Sequence, residues 1–354
     1  PISLWTCRLA SFWNRLMKPA ENLRILTSLR FFAAAWVVLF HYWHDLPGSP
    51  VEPAFIAKGY LGVELFFILS GFILSHVYRS AVEEGRFAYG GFLWARLARV
   101  YPLHIATVTA MGAMAITAAN LGMKVDPNIA NWASLPANLT LTQAWGFAPT
   151  ASWNHPSWSI SAEWFAYLTF PAFALAALKL KNRPVAGLVL AMALVLGLNA
   201  EFQALTGEKL TQATIAWGAL RIVPCFAYGC ALYGYWVARP AQSRALAVTG
   251  ALISGAATII FAATGLPDSV IVLSLGLLLL FLAQLAQTGS AILAQAPLVY
   301  LGEISYSMYM ICIPWNVVFV DTMTRIIKVN GGQLTFGLWL VLLFALIPLS
   351  ALSY

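Results

Sequence analysis

Charge is what this sequence has least of. Of 354 residues only 9 % are charged, 20 basic and 13 acidic, for a formal net charge of +7. Soluble domains carry about 25 % charged and about 45–50 % apolar residues; here 60 % are hydrophobic. A single soluble domain cannot hide that much apolar surface, and a disordered chain would not carry it, so both classes are excluded. The basic residues are scattered between apolar runs and form no basic stripe, which excludes nucleic acid as a partner. Cysteine is scarce too. Cys7, Cys225, Cys230 and Cys312 lie far apart or within apolar runs and show neither metal spacing nor a disulfide framework. They read as small hydrophobes, and no metal is expected. No internal repeat divides the chain, which weakens a transporter built from duplicated halves. No signal peptide is visible, because the first apolar span follows Arg8, Arg15, Lys18 and Arg24 and has no small-residue cleavage site after it. The chain stops at Tyr354 inside an apolar run and reads as a trimmed one.

What the sequence has is long apolar runs, about twice the length of a barrel strand. Ten are expected to cross a membrane: Leu29–Asp45, Gly59–Tyr78, Arg99–Leu121, Trp158–Leu180, Pro184–Phe202, Gly218–Val237, Ala245–Thr264, Ser269–Thr288, Val299–Asp321 and Phe336–Tyr354. With the N-terminus cytoplasmic, 14 Lys and Arg fall in inner segments and 6 in outer ones. The positive-inside rule then sets the orientation. The expected fold class is an all-α polytopic membrane protein of about ten transmembrane helices, multi-pass in the inner membrane, with both termini cytoplasmic. Residues 1–24 carry Leu4, Trp5, Leu9, Phe12, Trp13 and Leu16 at helical spacing among basic residues. They are expected to form an amphipathic interfacial helix on the cytoplasmic surface, with residues 25–354 as the ten-helix domain. The longest outer loop, Gly122–Pro156, holds Trp132, Pro136, Trp145 and Trp153 and reads either as a folded lid or as a plain solvent-facing loop.

Ionisable groups inside such spans cost about 2.5–3.5 kcal/mol each at mid-bilayer, so they mark where chemistry is to be sought. Arg30 and His41 share the first span. Eleven residues separate them by about 16 Å and close to three turns, which points both to one helix face. Glu64 and His41 are each a few residues inside the outer ends of neighbouring spans, and a carboxylate there could fix the histidine tautomer. Glu163 follows Ser157-Trp-Ser-Ile-Ser161 and is either an N-terminal helix acid or a functional carboxylate. Arg96 and Arg99, with Arg30, make an inner basic cluster able to hold phosphates, or one that merely retains the positive-inside bias.

At these residues the chain resembles acyltransferase family 3, membrane acyltransferases that typically O-acetylate sugars of surface polysaccharides. Five segments carry the resemblance: Ser28-Leu-Arg through His41, Gly62-Val-Glu-Leu-Phe-Phe-Ile-Leu-Ser-Gly-Phe72, Arg96-Leu-Ala-Arg-Val-Tyr-Pro102, Pro156-Ser-Trp-Ser-Ile-Ser-Ala-Glu163 and Leu301-Gly-Glu-Ile-Ser-Tyr-Ser-Met-Tyr309. The resemblance implies a ten-helix acyltransferase core, acetyl-CoA or another acyl-CoA as cytoplasmic donor, and a carbohydrate or lipid-linked sugar as acceptor on the far side. By position, His41 resembles the catalytic histidine, Arg30 its motif partner and Glu163 the functional carboxylate. Glu64 or Glu163 is expected to orient the imidazole or to bind acceptor hydroxyls. Arg30, Arg96, Arg99, Tyr101, Ser305 and Tyr306 are the candidate donor-binding residues. The chain departs from the family where Cys312 stands three residues after Tyr309, a place where the family often has histidine. The rival reading is a transporter or flippase of an anionic glycolipid with the arginines as substrate sites.

Overall fold

A computed structural model describes residues 23–48, 51–122, 129–289 and 292–354. The amphipathic segment expected at residues 1–24 lies, but for its last two positions, outside the described residues. Among the described residues there are eleven longer helices: α1 (Arg24–Tyr42), α2 (Gly62–Glu83), α3 (Tyr89–Asn120), α4 (Trp158–Lys179), α5 (Pro184–Thr206), α6 (Gly218–Ala238), α7 (Arg244–Ala263), α8 (Asp268–Gln287), α9 (Ala296–Glu303), α10 (Ser305–Asp321) and α11 (Phe336–Leu352). Among the described residues there is no strand. In an apolar solvent a helix satisfies its own backbone, which is why apolar runs of this length fold this way.

Each of the ten expected runs is helical. Among the described residues seven helices are long and apolar enough to cross a membrane, and the bent pair α9–α10 makes up to an eighth. The other two fall short for different reasons. α11 is 17 residues long. α6 is long enough, but it runs through the middle of the bundle, with Arg221, Pro224, Cys225 and Tyr228 buried, and so needs no continuous lipid-facing coat.

α2 and α6 touch backbone to backbone. A Cβ at Gly229 would lie 2.0 Å from the Ile68 carbonyl oxygen, and one at Gly71 would lie 2.2 Å from that of Phe226. Without a hydrophobic force between helices in lipid, close backbone approach supplies the packing. Gly302 does the same for α9 against α1, where a Cβ would fall 1.8 Å from the Thr27 oxygen. The motif glycines Gly71 and Gly302 are thus seams between helices.

Two boundaries differ from expectation. α3 begins at Tyr89, ten residues before the expected start at Arg99. Its first turn is anchored by Phe92 stacking on Phe170 and by the Tyr89 hydroxyl donating to the Leu168 carbonyl at 2.8 Å. Arg96 and Arg99 are therefore helix-borne. The expected single span Val299–Asp321 is two helices bent by 53°, and at the bend the Ser305 hydroxyl donates to the Gly302 carbonyl at 2.7 Å.

Polar contacts define two faces. On one, Lys58 pairs with Asp268, which also accepts from Tyr60 and Thr211 at 2.6 Å each, so the α1–α2, α5–α6 and α7–α8 connections meet. On the other, Lys181 pairs with Glu83 at 3.2 Å and the Ala241 amide donates to Gln287 at 3.0 Å. Residues 129–157, of the segment after α3, form short turns bonded to the bundle and serve as a plug, although Trp132 and Phe147 stay exposed. Its Asn138 carbonyl meets His104 Nε2 at 2.8 Å, its Leu139 carbonyl accepts from Tyr101 at 2.9 Å, and Ser161 bonds the Leu141 carbonyl and the Ala144 amide at 2.8 and 3.0 Å.

Candidate active site

His41 sits in the last turn of α1, half-buried. The turn is locked while the ring is free. The Tyr42 hydroxyl donates to the Cys312 carbonyl at 2.7 Å, and the Trp339 indole donates to the Tyr42 carbonyl at 2.8 Å, so α10 and α11 both hold it. The imidazole itself packs beside Phe40 and makes no hydrogen bond among the described residues. The groups that act on it electrostatically are His155 and His44. His155 lies just before α4, on a turn tied to α10 by Tyr309 donating to the Pro156 carbonyl and Asn154 donating to the Met310 carbonyl, both at 2.9 Å.

Glu163 stands one turn into α4. The Ser70 hydroxyl donates to its Oε1 at 2.8 Å, and Tyr167 on the next turn bonds it as well. The Arg30 charge and the Tyr306 phenol lie within its electrostatic reach, and Arg99 lies within theirs, yet among the described residues no cation approaches Glu163 within 4.0 Å. Arg99 is exposed, whereas Arg96, three residues earlier, is buried with its Nε unpartnered. The structure therefore brings Arg30, Arg99, Glu163 and Tyr306 together, with Arg96 close to Tyr167. Tyr101 and Ser305 do not turn their hydroxyls to this group. Tyr101 donates to the plug at Leu139, and Ser305 to its own helix. The Tyr306 hydroxyl donates to the Val100 carbonyl at 2.7 Å and thereby fixes α10 on the arginine-bearing stretch of α3.

Glu64 faces elsewhere than His41. It is buried at 1 % exposure, accepts from Arg221 Nε at 2.5 Å and from the Cys225 thiol at 2.9 Å. The Arg221 guanidinium stacks 4.5 Å over the Trp158 ring. His155, Ser70 and Tyr167 carried no sequence expectation. For His155 the available signal was its place directly before the Pro156–Glu163 segment. Among the described residues no group of three or more His, Cys, Asp or Glu is arranged to hold a metal.

Apolar membrane-length helices with ionisable groups turned into the bundle define a polytopic membrane protein. Residues 24–354 match a family profile described as an acyltransferase domain, that of acyltransferase family 3, and the chain belongs to that family. Over 154 residues it is 34 % identical to "Acyltransferase MdmB" of Streptomyces mycarofaciens, covering 41 % of this chain and 38 % of that one. Over 139 residues it is 34 % identical to "Protein 2 in picA locus" of Rhizobium radiobacter, covering 35 % of this chain and 70 % of that one. The match thus spans under two fifths of the first relative's length. No solved structure matches. The family's chemistry is acyl transfer, which entails an acyl donor and an acceptor.

Proposed function

We propose that this chain transfers an acyl group, acetyl in the simplest case, from acyl-CoA at the cytoplasmic face to a hydroxyl of a carbohydrate or lipid-linked sugar at the other face. His41 acts as general base. An alcohol is a weak nucleophile until a base takes its proton in the transition state. The observation that carries this reading is the free imidazole on a locked helix turn: a base needs a fixed position and an uncommitted nitrogen. In the reaction His41 takes the acceptor's proton, the acceptor oxygen bonds to the thioester carbonyl carbon, and the carbon–sulfur bond breaks to release CoA thiolate, which is then protonated. Arg30, Arg96 and Arg99 are the proposed partners of the CoA phosphates. Arg30 shares a helix face with His41 about 16 Å away, a span that an extended pantetheine arm can bridge. Glu163 is assigned to the boundary between donor and acceptor, where its charge and the Ser70 and Tyr167 bonds keep the arginines oriented.

The test is direct. Membranes carrying the chain are given acetyl-CoA labelled with carbon-14 in the acetyl group, and base-labile label is counted in lipid and glycan fractions. The wild-type chain is expected to transfer label and a folded His41→Ala variant to transfer none. Near-normal transfer by that variant would remove the general-base assignment.

A further inference from the structure

Among the described residues Glu64–Arg221 is the ion pair with both side chains fully buried, and the proposed chemistry leaves it unused. Arg221 is 3 % exposed. Nε donates to Glu64 at 2.5 Å, Nη1 donates to the Ala213 carbonyl at 3.0 Å, and the guanidinium lies 4.5 Å over Trp158. Nη2 is buried with no partner. An unmade bond of this kind costs about 1–3 kcal/mol, and more for a charged group. The side chain is thus fixed on three sides and unpaired at one buried corner.

The corner belongs to the histidine end of the molecule. Trp158, under the guanidinium, opens α4 immediately after His155-Pro156-Ser157. Gly218, one turn before Arg221, packs against Trp158 and Ala144 of the plug, so this part of α6 faces the segment that carries His155. His155 and Tyr309 both feel the Arg221 charge, and His41 feels His155. Charge decides what the corner can bind. Glu64 neutralises the guanidinium, so Nη2 is a directional donor with little net attraction for an anion. It suits a hydroxyl or ring oxygen better than a phosphate.

We propose that Arg221 is an acceptor-binding residue, its free Nη2 donating to an uncharged oxygen of the hydroxyl-bearing acceptor beside His155, and that Glu64 is the positioning residue that aims it. This rests on the acyl-transfer reading above.

Two variants test it. Arg221→Lys keeps a cation for Glu64 and removes the corner. Glu64→Leu with Arg221→Met removes the whole pair, a replacement that buried ion pairs commonly tolerate. Both are purified and compared in thermal unfolding. They are then assayed in membranes of the producing organism, deleted for its own copy and so holding the native acceptor, with carbon-14 acetyl-CoA. Transfer at saturating acetyl-CoA should fall about 10–100-fold in each folded variant, with KM for acetyl-CoA unchanged, as expected for one lost hydrogen bond to substrate. A folded double variant within twofold of wild type would overturn the proposal, as would a raised KM for acetyl-CoA. Failure of both variants to fold would assign the pair to the scaffold and overturn it equally. Absence of transfer by the wild-type chain would instead overturn the acyl-transfer reading itself, and full transfer by His41→Ala run alongside would remove only the general-base assignment.

Discussion

Glu64 and Glu163 lie on neighbouring helices of one bundle and live in opposite circumstances. Glu64 has both oxygens occupied, by Arg221 and by Cys225, with a cation at 2.5 Å. Glu163 has hydroxyl partners, Ser70 and Tyr167, and keeps the arginines at a distance. A carboxylate closed into an ion pair stabilises its surroundings and is poorly placed to respond to a substrate. One held by hydroxyls among more distant cations retains charge and binding capacity that a ligand can use. Glu64 is buried and Glu163 half-buried, and the partners widen that difference.

The difference should appear most strongly in Glu64→Ala. Removing one member of a buried pair leaves Arg221 uncompensated, and the expected loss is about 3–5 kcal/mol of stability. Thermal unfolding of the purified protein would report it, and an unchanged Tm would show that water already compensates Arg221. Glu163→Gln sharpens the contrast from the other side. Gln keeps the shape and the bond to Ser70 but not the charge, so Tm should hold while acyl transfer falls about 10–100-fold. Full activity in that variant would return Glu163 to a purely structural role. Third in size is the arginine triple variant, Arg30, Arg96 and Arg99 to Ala. Acyl-CoA affinity should weaken, and what remains should be less sensitive to salt. An unchanged affinity in a folded triple variant would send the donor to another entrance. The smallest effect belongs to His44→Ala. His44 is exposed, in the short turn just past the end of α1, and transfer should stay within about twofold of wild type, as for surface changes away from special features.

The fold was legible because apolar runs in lipid have few alternatives to helix. What the runs could not convey was where a helix begins when aromatic side chains anchor its first turn, as Phe92 and Tyr89 do for α3, or where a backbone–hydroxyl bond such as Ser305 to Gly302 marks a bend. Of the candidate site, the shared face of Arg30 and His41 follows from periodicity on one helix. The partner of Glu64 did not follow. Equal depth on adjacent helices suggested His41, but depth carries no information about rotation, and rotation turns Glu64 to Arg221 on α6. His155 was equally hidden, since its approach to His41 is made by tertiary contacts of α10 with the segment before α4.

In the proposed reaction the donor enters at the arginine end of α1 and the acceptor at the histidine end, so that acyl transfer joins two sides of a membrane. Sealed vesicles of defined orientation test it, because CoA does not cross lipid. Inside-out vesicles, with their cytoplasmic face outward, should take label from added carbon-14 acetyl-CoA, and right-side-out vesicles should take none until they are permeabilised. Equal labelling by intact right-side-out vesicles would contradict a cytoplasmic entrance for the donor.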